Sequence, residues 1–178
     1  MKKLILFIAL GIISLSASAQ NDRFFIGGGA GLNFGFDGLK FEDRVNSHNG
    51  VGTAGDFYLG GWFGKGIGVR AGYQGFTVSD SYSIFGNLPY RYVHADLLFR
   101  VASGFIPYVH CGWLQVAGNS FAGGAGIMMP IRLGEHFSIV PDIKANLSPG
   151  SAYGIGDSPL ATTLSATLGI AVSFGKRK

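Results

Sequence analysis

The chain has 178 residues, of which 13% are charged, 47% are apolar and 30 are glycine, and its mean hydropathy is +0.31. A soluble globular protein carries about 25% charged residues and ~7% glycine, so this composition excludes disorder, a coiled coil and an ordinary soluble enzyme, while glycine without a three-residue period excludes collagen. The formal charge of +4 sits at the chain ends: without Lys2, Lys3, Lys176, Arg177 and Lys178, nine basic side chains face ten acidic ones, which leaves no basic footprint for nucleic acid.

Met1-Lys2-Lys3 is a basic start, Leu4 to Leu15 is apolar, and Ala17-Ser18-Ala19 has the small-x-small form of a processing site. The pattern reads as a secretory signal peptide over 1–19, too short to span a bilayer as a helix, followed by one domain over 20–178 with a short basic tail. Beyond residue 20 no uncharged apolar stretch approaches the 18 residues of a transmembrane helix. Cys111 is the only cysteine, so neither an internal disulfide nor a cysteine-held metal is expected.

From Phe24 onward the period is two. Phe24, Ile26, Gly28, Ala30, Leu32, Phe34 and Phe36 form one face of the first segment, and Phe25, three glycines, Asn33 and Gly35 form the other. Six more segments follow at about 53–63, 66–77, 90–100, 105–117, 120–132 and 136–147. The last, 160–174, alternates Leu160, Thr162, Leu164, Ala166, Leu168, Ile170, Val172 and Phe174 with small and hydroxyl residues. Eight such segments predict strands.

The charges decide what the oily faces meet. Only Arg91, at a strand end, is charged on those faces, whereas the opposite faces carry Asp56, Arg70, His94, Asp96, Arg100, His110, Arg132, Asp142 and Lys144. A soluble barrel has the reverse polarity; an oily exterior and charged lumen belong in lipid. Tight turns at 64–65, 101–104 and 133–135 fall at every second connection, and the long connections 37–50, 78–89 and 148–159 fall at the others. This is the order of short periplasmic turns and longer outer loops. The predicted fold is all-β, an eight-stranded antiparallel up-and-down transmembrane β-barrel in the bacterial outer membrane. Aromatic residues near the strand ends predict two interfacial girdles, with Phe24, Trp62, Phe63, Phe99, Phe105, Phe137 and Phe174 below and Phe34, Phe36, Tyr73, Tyr90, Tyr92, Trp113 and Phe121 above.

The glycine-rich FFIGGGAGLNFGF, the turn-spanning GGWFGKGIGVRAGY, the PYVHCGW strand and the amphipathic final strand resemble the small outer-membrane barrels of the OmpA transmembrane domain and OmpX type. The resemblance covers roughly residues 24–174. It implies that Leu168, Ile170, Val172 and Phe174 act as an assembly signal read by the barrel-insertion machinery. It also implies outer-membrane lipids and lipopolysaccharide as surroundings, with an extracellular partner reached through the outer loops. The four residues after Phe174 depart from the family's aromatic terminus, and with no peptidoglycan-binding domain expected a wall-tethering role is not implied.

Eight strands enclose a lumen just wide enough for side chains, so its charges are expected to pair and fill it, with an ion or proton pathway as the alternative use. A hairpin centred on Gly64 would set Arg70 opposite Tyr58 and diagonal to Asp56. The pair His136 and Ser138 invites comparison with lipid A deacylases, which use His-x-Ser on such a barrel. Both residues, however, fall beside a periplasmic turn, while lipid A occupies the outer leaflet. No catalytic residue, cofactor or metal is therefore expected. The readings of another class are a lipid A-modifying enzyme and a soluble periplasmic ligand-binding barrel. Recognition, if present, is expected in the outer loops, where Phe41, Glu42, Asp43, Arg44, His48, Tyr153 and Asp157 lie.

Overall fold

A computed structural model of the chain describes residues 24–37, 51–63, 66–78, 88–101, 104–115, 118–149 and 160–175. The segment read as an export signal, most of the long connections and the basic tail lie outside these residues. The strands are β1 (Phe24–Asp37), β2 (Val51–Phe63), β3 (Ile67–Val78), β4 (Leu88–Phe99), β5 (Ile106–Gln115), β6 (Asn119–Met128), β7 (Ile131–Arg132), β8 (Phe137–Ser148) and β9 (Ala161–Phe174). Every pairing is antiparallel; sequence neighbours pair from β1 to β6 and from β7 to β9, β6 pairs with β8, and β9 returns to β1, so the sheet closes.

β6 and β7 are one strand interrupted without loss of register. Met128 faces Asp142 and Ile131 faces Ile139 on the same alignment. Between them Met129 donates its amide to the Pro141 carbonyl at 2.9 Å, but Pro141 has no N–H to return the bond. The architecture is therefore an eight-stranded barrel with a one-bond gap in one seam.

The pairings fix the stagger. From Phe25 they lead to Gly60, Arg70, Asp96, His110, Gly124, Asn146, Thr163 and then Gly35, ten residues along β1 from the start. With ~3.3 Å per residue and ~4.8 Å between strands, that shift tilts the strands about 40° from the barrel axis. We call the end that holds Phe24 and Phe174 the lower end. The ends of β2 and β3 that meet around Gly66 lie there, as do those of β4 and β5, beside which Gly104 takes φ 102°, and the 133–136 turn.

Alternation follows the predicted parity. Phe57, Val93, Trp113, Phe121, Leu168 and Ile170 point outward and are more than half exposed, whereas Asn33, Tyr92, Leu98 and Ser165 point inward and are buried. Three aromatic residues placed in the girdles belong to the interior instead: Trp62, Tyr90 and Tyr92 are buried. Trp62 shares parity with Asp56, and the two tyrosines share parity with His94, so the pleat turns them inward whatever their height in the membrane.

Inward glycines make room for these rings. Tyr58 lies between Gly27 and Gly72, His94 between Gly72 and Gly112, and Tyr108 faces Gly126. A Cβ on Gly126 would sit 2.3 Å from the Tyr108 ring, and one on Gly72 would sit 2.6 Å from the His94 ring. Large side chains set against absent ones let a narrow barrel close with a filled lumen.

A buried charge belt as the candidate functional site

The inner face of each strand reads as layers. Down β2 it runs Ala54, Asp56, Tyr58, Gly60, Trp62; down β4 it runs Tyr90, Tyr92, His94, Asp96, Leu98; up β8 it runs Val140, Asp142, Lys144, Asn146, Ser148. The charges therefore sit at mid-height. Below them is a cluster of Phe25, Tyr58, Trp62, Leu98, Ile106, Tyr108, Met128, Val140 and Ala171. Above them is a second cluster containing Ala54, Phe76, Tyr90, Tyr92, Leu114 and Ala122.

Arg70 is the centre of the belt. Its Nε donates to Asp96 Oδ2 on the adjacent strand, and its Nη1 reaches across the lumen to Asp142 Oδ2 at 3.0 Å. Its guanidinium carbon lies 4.8 Å from the Tyr58 ring centre and 4.4 Å from that of Tyr108, so two aromatic faces cover the buried cation. Tyr108 also donates its hydroxyl to Asp142 Oδ1 at 2.6 Å.

Lys144 makes the second bridge across the lumen, donating to Asp56 Oδ2 at 2.8 Å and to His94 Nε2 at 3.1 Å. His94 donates from Nδ1 to Asp96 Oδ1 at 2.6 Å, so a single imidazole tautomer meets both contacts. Asp56, Lys144, His94, Asp96, Arg70, Asp142 and Tyr108 thus form one continuous chain of polar contacts. Beside it His110 donates from Nε2 to the Ala145 carbonyl at 3.0 Å and accepts at Nδ1 from the Tyr92 hydroxyl at 2.9 Å.

Seven of the nine charged or imidazole groups assigned to the lumen from sequence therefore occupy the belt, and two do not. Arg100 and Arg132 are exposed at the lower rim. Arg100 lies over the Trp62 ring at 4.1 Å and donates its backbone N–H to the Gly66 carbonyl. Both arginines keep inward parity, but at the mouth of the barrel that parity no longer means enclosure.

The expected partner of Arg70 also changes. The β2–β3 register is shifted by two residues from that expectation, so Arg70 faces Gly60, and Tyr58 faces Gly72. This register sets Trp62 and Tyr58 each against a glycine; centring on Gly64 would put Tyr58 against Arg70 and leave Gly60 facing Gly68. Tyr58, Tyr92 and Tyr108 were not singled out from the sequence as lumen ligands, although their spacing of two from Asp56, His94 and His110 carried the signal.

Beneath the belt a cavity of about 60 Å³ is lined by residues including Phe25, Tyr58, Trp62, Met128, Ser138 and Val140. It has room for water, not for an organic solute. His136 is exposed with Nδ1 on the Ser173 carbonyl at 3.0 Å, whereas Ser138 is buried at that cavity. One of the two ring nitrogens, Nδ1, is thus engaged at the rim. Cys111 faces outward. The loop residues between 41 and 48, and Tyr153 and Asp157, lie outside the described residues.

An apolar exterior around an ion-paired interior is the polarity of a transmembrane β-barrel of the outer-membrane type. Solved structures share the fold. Neisserial surface protein A matches with a TM-score of 0.56 and 12% identity over 85% of this chain and 97% of that one. Ail, the attachment invasion locus protein of Yersinia pestis, matches with a TM-score of 0.52 and 13% identity over 87% of this chain and 99% of its own. Ail in complex with the heparin analogue sucrose octasulfate matches with a TM-score of 0.52 and 16% identity, covering 86% and 99% of the two chains. No family model and no curated protein sequence matches the chain.

Proposed function

We propose that this protein is a non-enzymatic barrel of the outer membrane that serves envelope integrity or surface recognition through its outer loops. The observation that carries the reading is the bridged lumen. Lys144 to Asp56 and Arg70 to Asp142 both cross it, with packed clusters above and below, so the interior has no route for solutes and no space for a substrate. That leaves contacts with a partner to the rim and to the sequence segments 37–50, 78–89 and 148–160. Loops on a rigid scaffold are where recognition concentrates. The heparin analogue bound by Ail is consistent with this use of the fold.

Residues 1–19 would direct export. Leu168, Ile170, Val172 and Phe174, all on the outward face of β9, would present the assembly signal to the insertion machinery. Lipopolysaccharide and phospholipid would surround the outward face.

The test replaces 38–50 and 150–159 by short Gly/Ser links. Insertion and a heat-shifted band on a detergent gel should persist, while adhesion to sulfated glycans or host-type surfaces is lost. A loopless barrel that keeps the parent's full surface-binding phenotype would exclude recognition by those loops, and an altered lipid A mass spectrum on gene deletion would revive the enzyme.

A further inference from the structure

Across the described strands the outward face carries one charge, Arg91. It lies near the upper end of β4, three residues from Leu88, and is exposed. A guanidinium costs about 2–4 kcal/mol at the bilayer midplane but ~0–1 near the interface, and its alkyl stem lets the charge rise to headgroup level. Among the described residues no carboxylate shares this face, so the counter-charge for Arg91 has to come from outside the described barrel.

The surroundings of Arg91 are suited to one kind of anion. Directly across β5 is Gln115, exposed, whose carboxamide offers N–H donors beside the guanidinium. Directly across β3 is Gly75. A Cβ there would meet only the Tyr73 ring, at 3.9 Å, so the sheet surface beside Arg91 has an open notch. Tyr73 and Trp113, diagonal to Arg91 on the two sides, are 45% and 53% exposed and present apolar surface one row further down the sheet, Tyr73 beneath the notch and Trp113 beneath Gln115. A planar guanidinium with a second donor beside it matches tetrahedral oxyanions, and the flanking rings match acyl chains.

We propose that Arg91, Gln115 and the notch over Gly75 form a binding site for the phosphate of a phosphorylated outer-leaflet lipid, with Tyr73 and Trp113 against its acyl chains. The site is built on strands and uses none of the outer connections, so it stands or falls separately from recognition by the loops.

Native mass spectrometry of the folded full-length protein released from detergent tests it, with diphosphorylated lipid A, its monophosphorylated form and inorganic phosphate as probes. The wild type should retain one diphosphorylated lipid A. Arg91→Gln and Gly75→Leu should each weaken retention by about ten-fold, Arg91→Lys by less, and excess inorganic phosphate should not displace the lipid. All three substitutions point outward and should leave the heat-shifted band unchanged; Gln115→Ala supplies the same comparison for any that do not. Retention by Arg91→Gln equal to wild type would overturn the site. Equal retention by Gly75→Leu would reduce it to unlocalised surface charge and also overturn it. Displacement by inorganic phosphate would make the ligand a free anion and not a lipid.

Discussion

Asp142 shows how much rests on single lumen residues, because one carboxylate receives both the Arg70 guanidinium and the Tyr108 hydroxyl. Asp142→Ala would leave Arg70 buried with Asp96 as its remaining ion pair, and breaking a buried pair from one side costs about 3–5 kcal/mol. Urea unfolding in lipid vesicles should show that loss, whereas Arg132→Ala at the exposed rim should stay within ~0.5 kcal/mol. Equal effects would mean that the belt is not the stabilising feature of the lumen. Gly72→Ala should cost about 1–3 kcal/mol by overpacking, since its Cβ would press the His94 ring off Lys144 and Asp96; unchanged stability would argue that the ring has room to move. At this scale the residue types of the belt were legible in the sequence, but their partners were not. Parity identifies which side chains point inward, while the pairings across the lumen, such as Lys144 with Asp56, depend on the closed geometry and on a hairpin centre that a one-residue error displaces by two pairs.

The strand is the scale at which the sequence is most readable. β1 at Phe24–Asp37 and β9 at Ala161–Phe174 fall within a residue of the alternating segments, because a period of two with one oily face has a single consistent register in lipid. The misplaced aromatics show the limit of reading by residue type: Trp62, Tyr90 and Tyr92 have girdle chemistry but inward parity, and parity prevails. Leu168→Arg, on the outward face of β9, should cost about 2–4 kcal/mol and lower the yield of the heat-shifted band. Ser165→Arg, on the inward face, should act by crowding the lumen and should keep the strand's lipid exposure unchanged. The seam between β6 and β8 was not visible in advance, since it arises from Met129 meeting Pro141. Pro141→Ala restores a donor to that ladder and should slow amide exchange at Met129. The stability gain should stay below about 1 kcal/mol, because the added bond is offset by the chain entropy that proline removes. Exchange at Met129 as fast as in the parent would show that the gap does not weaken the seam.

For the whole molecule, closure is what converts amphipathic strands into a sealed barrel. The ten-residue shift that returns Phe25 to Gly35 sets tilt and radius together, and at eight strands that radius leaves space for side chains and little else. Alternation in the sequence specifies strand number and which side chains face outward; the shift is a property of all eight ladders at once and has no local signature. A lumen bridged by Arg70 and Lys144 should give no stable conductance in planar bilayers, and a reproducible ion-selective open state would contradict the seal. The inversion of polarity underlies every other conclusion, and spin-label accessibility along β9 measures it directly. In bilayers, with Cys111 replaced by serine, labels placed singly at 163–170 should alternate: those at 164, 166, 168 and 170 should relax with lipid-soluble oxygen, and those at 163, 165, 167 and 169 should be shielded from it. Uniform accessibility along the strand, or an alternation in which the residues at 168 and 170 meet the aqueous reagent, would contradict a barrel with its oily face in lipid.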